Sequence, residues 1–177
     1  MQCGISTASF YPQPPLESLE FLAKAGVPVV EVFINTFREM REDYMSKLRQ
    51  IQQMYGVRVS SVHPFTGVME GLLFATRYPT RFDDGVELYR GYFEACRALG
   101  ADKMVFHGDS EYNTGLMDAE EYARRFSILA AVGREYGVTL CHENVAYCRL
   151  NSPERVRELR MHLGDDAAFV LDTKQVL

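Results

Sequence analysis

The sequence predicts an α/β fold of the (β/α)8 barrel type, of which the 177 residues hold about six βα units. Three observations carry the prediction. One phrase recurs: a helix-like segment ends in glycine and a short apolar run follows, as in "KAGVPVVEVFIN", "MYGVRVSSVHPF", "ALGADKMVFHGD", "EYGVTLCHENV" and "HLGDDAAFVLDT". Strand and helix patterns alternate along the chain, which means parallel strands joined by right-handed crossovers. The first strand runs into "STASFYPQPP", which contains no glycine. The G-x-G-x-x-G turn of a dinucleotide-binding sheet is therefore missing, and the barrel stands ahead of the open doubly wound sheet.

The elements follow in order. "CGIST" opens as a strand. "PLESLEFLAKAG" starts a helix on Pro15 and sets Leu16, Leu19 and Leu22 at helical spacing. "REMREDYMSKLRQIQQMYG" places Tyr44, Leu48, Ile51 and Tyr55 on one stripe. A weakly patterned stretch from about Thr66 to Arg81 reads as a long loop, and "FDDGVELYRGYFEACRALG" as the helix after it. Asp118 is the predicted N-cap of "MDAEEYARRFSILAAVGREYG", with Glu121 at capping-box spacing. Ser152 caps "SPERVRELRMHLG", with Pro153 at the first helical position. Gly26, Gly56, Gly100, Gly137 and Gly164 fit helix C-caps, where glycine enters the left-handed region cheaply. The apolar runs after them are rich in Val, Ile and Phe, as buried strands are. The count comes to six strands and five helices in one domain over residues 1–177. A closed barrel has eight strands, so either strands seven and eight are lacking or the barrel is open.

Composition narrows the function classes. Net charge is −5 with a pI near 5.4, a balance that gives no nucleic-acid footprint for the chain as a whole, so a nucleic-acid partner is not expected. The four cysteines form no C-x-x-C pair and read as reduced thiols. The opening "MQCGISTASFY" has no signal-peptide pattern, and no apolar run reaches the ~18 residues of a membrane span. A cytoplasmic enzyme or binding domain is expected, with a homo-oligomer open.

In a barrel the chemistry lies at the C-terminal ends of the strands. Those ends carry Asn35, His63, His107, Glu143 and Asp172, with His63 and His107 each seven residues after a cap glycine. Alternation along the strands puts Val59 and Ser61 on the same side as His63, and Thr139 and Cys141 on the same side as Glu143. His142, Phe169 and Leu171 then face the helices. Two imidazoles and two carboxylates at successive strand tips suit a divalent metal: Zn²⁺, Mn²⁺, Co²⁺ or Mg²⁺. Single residues have plainer readings. Asp109 is expected to cap a helix, and Glu31 to pair with Lys103 or Arg58.

"SVHPF", "VFHGD", "LCHENV" and "FVLDTKQ", in that order, resemble the xylose-isomerase-like TIM-barrel superfamily. It includes sugar isomerases and epimerases and the endonuclease IV class of repair nucleases. The resemblance implies that Glu143 binds metal and moves protons, that Asp172 is a second metal ligand, and that His63 and His107 match histidines holding further zinc in the nucleases. Gln175 stands where the family often has a histidine. It suits a sugar hydroxyl better than zinc and joins Asn144 and Lys174 as a candidate substrate-binding residue.

Three functions follow. The first is a metal-dependent sugar or sugar-phosphate isomerase or epimerase, with Glu143 as the base in proton transfer through an enediolate. The second is a zinc phosphodiesterase of the AP endonuclease type. The third is a truncated barrel without catalysis. Gln175 and the acidic balance favour the first, and the two histidines pull toward the second. The stretch "FTGVMEGLLFATRYPTRF" is a candidate substrate lid.

Overall fold

The computed structural model describes residues 3–110 and 117–176. Its strands are β1 (Ile5–Ser6), β2 (Val29–Ile34), β3 (Arg58–Pro64), β4 (Lys103–Phe106), β5 (Thr139–Glu143) and β6 (Phe169–Val170). They hydrogen-bond in the order β1-β2-β3-β4-β5-β6, and every strand pair whose register is resolved is parallel. Sequence order equals spatial order, as in a barrel wall and unlike a doubly wound sheet, where the order reverses. The α-helices among the described residues are α1 (Pro15–Lys24), α2 (Glu42–Tyr55), α3 (Gly67–Phe74), α4 (Pro79–Leu99), α5 (Ala119–Glu135) and α6 (Pro153–Leu163).

The predicted punctuation holds. Gly26, Gly56, Gly100, Gly137 and Gly164 all have positive φ. The Asp118 carboxylate accepts the N–H groups of Glu120 and Glu121, and the Ser152 hydroxyl accepts that of Arg155. Each cap satisfies a backbone donor that the helix itself leaves unpaired.

One element departs from the sequence prediction. The stretch read as a loop from Thr66 to Arg81 contains all of α3 and the start of α4. "GVMEGLLF" has two glycines and apolar residues on every side, so neither propensity nor periodicity marks it as a helix. Tertiary contacts made by Glu70 hold it, as described below.

The chain divides into two compact units, residues 1–65 with 91–104 and residues 66–90 with 105–177. In the first, Leu19 and Leu22 of α1, Val30 and Val32 of β2, and Met45 and Leu48 of α2 are buried. The buried face of α2 thus runs through Met45 and Leu48, while Tyr55 of the predicted stripe is exposed. The β2–β3 register skips Ser60: Val30 pairs with Val59 and Glu31 with Ser61. This bulge reverses the side-chain alternation. Val59 therefore shares the side of buried Val62, and only Ser61 keeps the predicted side of His63. Glu31 accepts the Ser61 hydroxyl at 2.9 Å, and Lys103 pairs with Asp102. Of the two partners expected for Glu31, Lys103 is thus taken by Asp102.

In the second unit the core is aromatic. The Phe106 ring meets Phe74, Tyr89, Phe126 and His142 edge-on, with centroids 5.4 to 5.7 Å apart. Such edge-to-face pairs add to the burial energy of the rings. Leu171, predicted to face helices, is exposed, because β6 ends at Val170. No helix among the described residues is long and apolar enough to cross a membrane.

Candidate functional site

Strand β4 delivers its last buried side chain, Phe106, and the chain then turns through His107, Gly108 and Asp109. Gly108 has φ +85°, and a Cβ there would lie 2.6 Å from His142 Nε2. The turn requires glycine on both counts. It leaves His107 at the strand tip, half-buried. Strand β5 ends on Glu143, also half-buried. Glu143 Oε2 lies 2.9 Å from His107 Nε2. Two donors on one ion at ~2.1 Å and 90–110° stand about 3.0–3.4 Å apart, so this pair would need to open by only a few tenths of an ångström to share a metal. Imidazole with carboxylate is a donor set that Zn²⁺, Mn²⁺ and Co²⁺ all accept.

The residue before Glu143 behaves as the alternation predicts. His142 is fully buried on the helix side. Its Nδ1 is 3.1 Å from the Glu143 carbonyl, and its Nε2 is 2.7 Å from the Tyr122 hydroxyl. A carbonyl only accepts, so Nδ1 carries the proton and Nε2 accepts from Tyr122. Burial pushes the His142 pKa down to about 3, so the ring is neutral and structural. It fixes the end of β5 from behind and so places Glu143.

The other predicted residues divide. His63 ends β3 in the first unit, stacked on Phe33 at 4.6 Å, with Nδ1 3.1 Å from the Pro64 carbonyl. A carbonyl only accepts, so Nδ1 donates there, and Nε2 is the ring nitrogen that would face a metal. Asn35 donates to the Phe33 carbonyl and shapes its own turn. In the second unit, Asn144 clasps the exit of β6: its Oδ1 accepts the Asp172 N–H at 2.6 Å and its Nδ2 donates to the Asp172 carbonyl at 2.9 Å. Asp172 turns Oδ1 to the Lys174 N–H at 2.8 Å. The Gln175 Oε1 accepts the Ala146 N–H, which leaves the amide NH2 as a donor. Lys174 is exposed. The concavity bordered by Gly4, Val29, Arg58 and Lys103 lies at the N-terminal ends of the first unit's strands, opposite to the His63 end.

Asp109 corrects its expectation. It caps no helix. Its carboxylate takes the Arg149 guanidinium side by side, Nε to Oδ1 at 2.8 Å and Nη2 to Oδ2 at 2.7 Å, with both side chains buried. The guanidinium also lies over the Tyr122 ring at 4.1 Å and donates to the Met117 carbonyl. This knot secures the segment that follows His107.

Sequence reasoning missed Glu70. It is 1% exposed; its Oε2 accepts the N–H of His107 at 2.7 Å and of Gly108 at 2.6 Å, and its Oε1 accepts the Tyr89 hydroxyl. Burial raises its pKa, and the three donors together with His107 oppose the rise. A lone acid within "GVMEGLLF" was the available signal, since a carboxylate in an apolar run is either exposed or specifically paired.

A family model described as xylose isomerase-like TIM barrel matches residues 19–177. Among solved structures, the chain is similar to D-psicose 3-epimerase from Clostridium cellulolyticum H10, at 16% identity and TM-score 0.82 over 99% of this chain and 65% of that one. It is similar to an L-ribulose 3-epimerase at 18% identity and TM-score 0.78, over 99% of this chain and 62% of that one. A probable 3-DHS dehydratase from Bacillus anthracis matches at 11% identity and TM-score 0.73, over 99% of this chain and 64% of that one. The chain thus spans a little under two thirds of these structures. No curated protein matches it significantly by sequence.

Proposed function

The chain belongs to the xylose isomerase-like TIM barrel family, and from that premise we propose that it is a metal-dependent isomerase or epimerase of sugars or sugar phosphates. The 2.9 Å approach of His107 Nε2 to Glu143 Oε2 at the tips of β4 and β5 carries the reading. The sequence pattern adds two donors to the proposal, His63 at the end of β3 and Asp172 after β6. A bound divalent ion, Mn²⁺, Zn²⁺, Co²⁺ or Mg²⁺, would supply Lewis-acid polarisation of a ketose carbonyl and the hydroxyl beside it. Glu143 is the base: it takes the proton from the carbon next to the carbonyl, leaving an enediolate, and in an isomerisation delivers it to the former carbonyl carbon while the hydroxyl proton passes between the two oxygens; inversion at the same carbon needs a proton donor on the opposite face. Its half-buried setting keeps bulk water from competing for that proton. The Gln175 amide and Lys174 are the proposed contacts to substrate hydroxyl or phosphate. Asn144 serves them through its clasp on the Asp172 backbone.

The test is exchange of substrate carbon-bound hydrogen with deuterated solvent, across a panel of ketohexoses and ketopentoses, after loading with each metal. Glu143→Gln should lower exchange by about 10²–10⁴-fold, the usual contribution of a general base. Exchange that is metal-dependent but unaffected by Glu143→Gln would remove Glu143 as the base. Cleavage of abasic DNA with no sugar exchange would favour the zinc phosphodiesterase, toward which the two histidines of the sequence pattern point.

A further inference from the structure

Helix α3 presses its first turn directly onto the turn after β4. Three of its residues meet that turn in different ways. A Cβ on Gly67 would lie 2.9 Å from His107 Cε1 and 3.2 Å from Cγ, and closer still to Nδ1. No real Cβ tolerates such a position, and the ring it meets is packed rather than the end of a flexible chain. Gly67 has no positive φ, so its backbone would accept alanine; only the imidazole forbids it. Glu70, one turn further along, reaches past the ring and accepts the backbone N–H groups of His107 and Gly108 with a single oxygen. The Tyr89 hydroxyl holds its other oxygen. Gly71, by contrast, has room: a Cβ there would lie 3.4 Å from Ser110 N and 3.6 Å from Asp109 Cα, which are ordinary contacts.

We propose that Gly67 and Glu70 are positioning residues for His107, Gly67 by admitting the imidazole edge against the helix backbone and Glu70 by pinning the peptide groups on which the ring stands. This rests on the proposed metal reading for its consequence, though not for its geometry. A buried carboxylate normally costs desolvation and is kept only where its partners matter. Here two of its three donors are the backbone of the candidate ligand and of the glycine after it. With the peptide plane and the ring edge both fixed, Nε2 has one direction left, toward Glu143. Residues of this kind around metal sites typically cost 10–100-fold in metal affinity when changed.

The experiment has two readouts on the same variants. The first uses metal-free protein: ring ¹H–¹³C resonances of His107 at fixed pH, assigned by their loss in His107→Asn among the four histidines of the chain. The second is Co²⁺ affinity with its visible spectrum. Gly67→Ala should move the His107 ring resonances and weaken Co²⁺ about 10–100-fold. Gly71→Ala, in the same helix, should do neither. Glu70→Gln keeps the reach of the side chain and should stay close to wild type. Glu70→Asp keeps the charge but is one methylene short of both N–H groups, so it should shift the ring and weaken Co²⁺. If Gly67→Ala does not fold, the Glu70→Asp and Glu70→Gln pair decides alone. Ring resonances that are the same in Gly67→Ala as in Gly71→Ala, or in Glu70→Asp as in Glu70→Gln, would overturn the proposal. A wild-type protein that binds no Co²⁺ while the ring resonances still respond would instead sink the metal reading and leave the positioning intact.

Discussion

Removing the charge of Asp109 should unfold this protein more readily than any cap or surface change. The Asp109–Arg149 pair is buried, at 0% and 2% side-chain exposure, and joined by two parallel hydrogen bonds of 2.8 and 2.7 Å. Arg149→Met leaves the carboxylate with the Met117 backbone N–H at 3.2 Å as its remaining hydrogen-bond donor among the described residues. Asp109→Asn leaves a guanidinium sealed from water and turns an amide NH2 toward its N–H groups. Breaking such a pair from one side costs about 3–5 kcal/mol, since the surviving charge has no solvent to return to. For a chain of this length that is roughly 6–20 °C in melting temperature. The double variant, Asp109→Asn with Arg149→Met, removes both charges and should cost less than the sum of the singles by about 2 kcal/mol or more. Urea unfolding followed by far-UV circular dichroism and by tyrosine fluorescence gives all four corners of the cycle, and agreement of the two probes checks that the transition is two-state. Single variants costing under about 1 kcal/mol, or a double variant equal to the sum, would refute the argument: the pair would then be hydrated or uncoupled.

Two further outcomes follow from the buried groups. His142 titrates at about 3 when folded against 6.5 as its ordinary value, so the unfolded chain takes up a proton the native one refuses. Its contribution is complete above pH 6.5 and erodes as pH falls toward 3, by about 2 kcal/mol between pH 6.5 and 5. Glu70, raised by burial, works in the opposite sense. The clean measurement is therefore the difference in slope of stability against pH between wild type and His142→Asn, which should be shallower in the variant; parallel slopes would show that His142 already titrates normally. Among the cysteines, Cys3 is exposed while Cys96, Cys141 and Cys148 are buried, and burial pushes the Cys148 thiol up to about 12. A native-state thiol titration at pH 8 should count one reactive group, and three more only in denaturant.

The sequence by itself determined what is written in neighbouring residues. Glycines at five helix ends, Asp118 and Ser152 at two helix starts, and Val-rich runs between them act over four or five residues, and all of them formed as read. Alternation along β5 was enough to turn His142 to the helices and Glu143 away, because nothing interrupts that strand. The same logic misplaced Val59, since one extra residue at Ser60 reverses every side chain before it and leaves no mark in the residue types. Helix α3 was illegible for a related reason. Its two glycines weaken it locally, and its stability comes from Glu70 meeting backbone 37 and 38 residues away. Asp109 and Arg149 are 40 residues apart, and only the approach of two loops decides that they neutralise each other. Tertiary structure therefore decided which acids are buried and what they hold. Burial makes a carboxylate depend on its exact partners, and those partners are brought by the fold from distant parts of the chain.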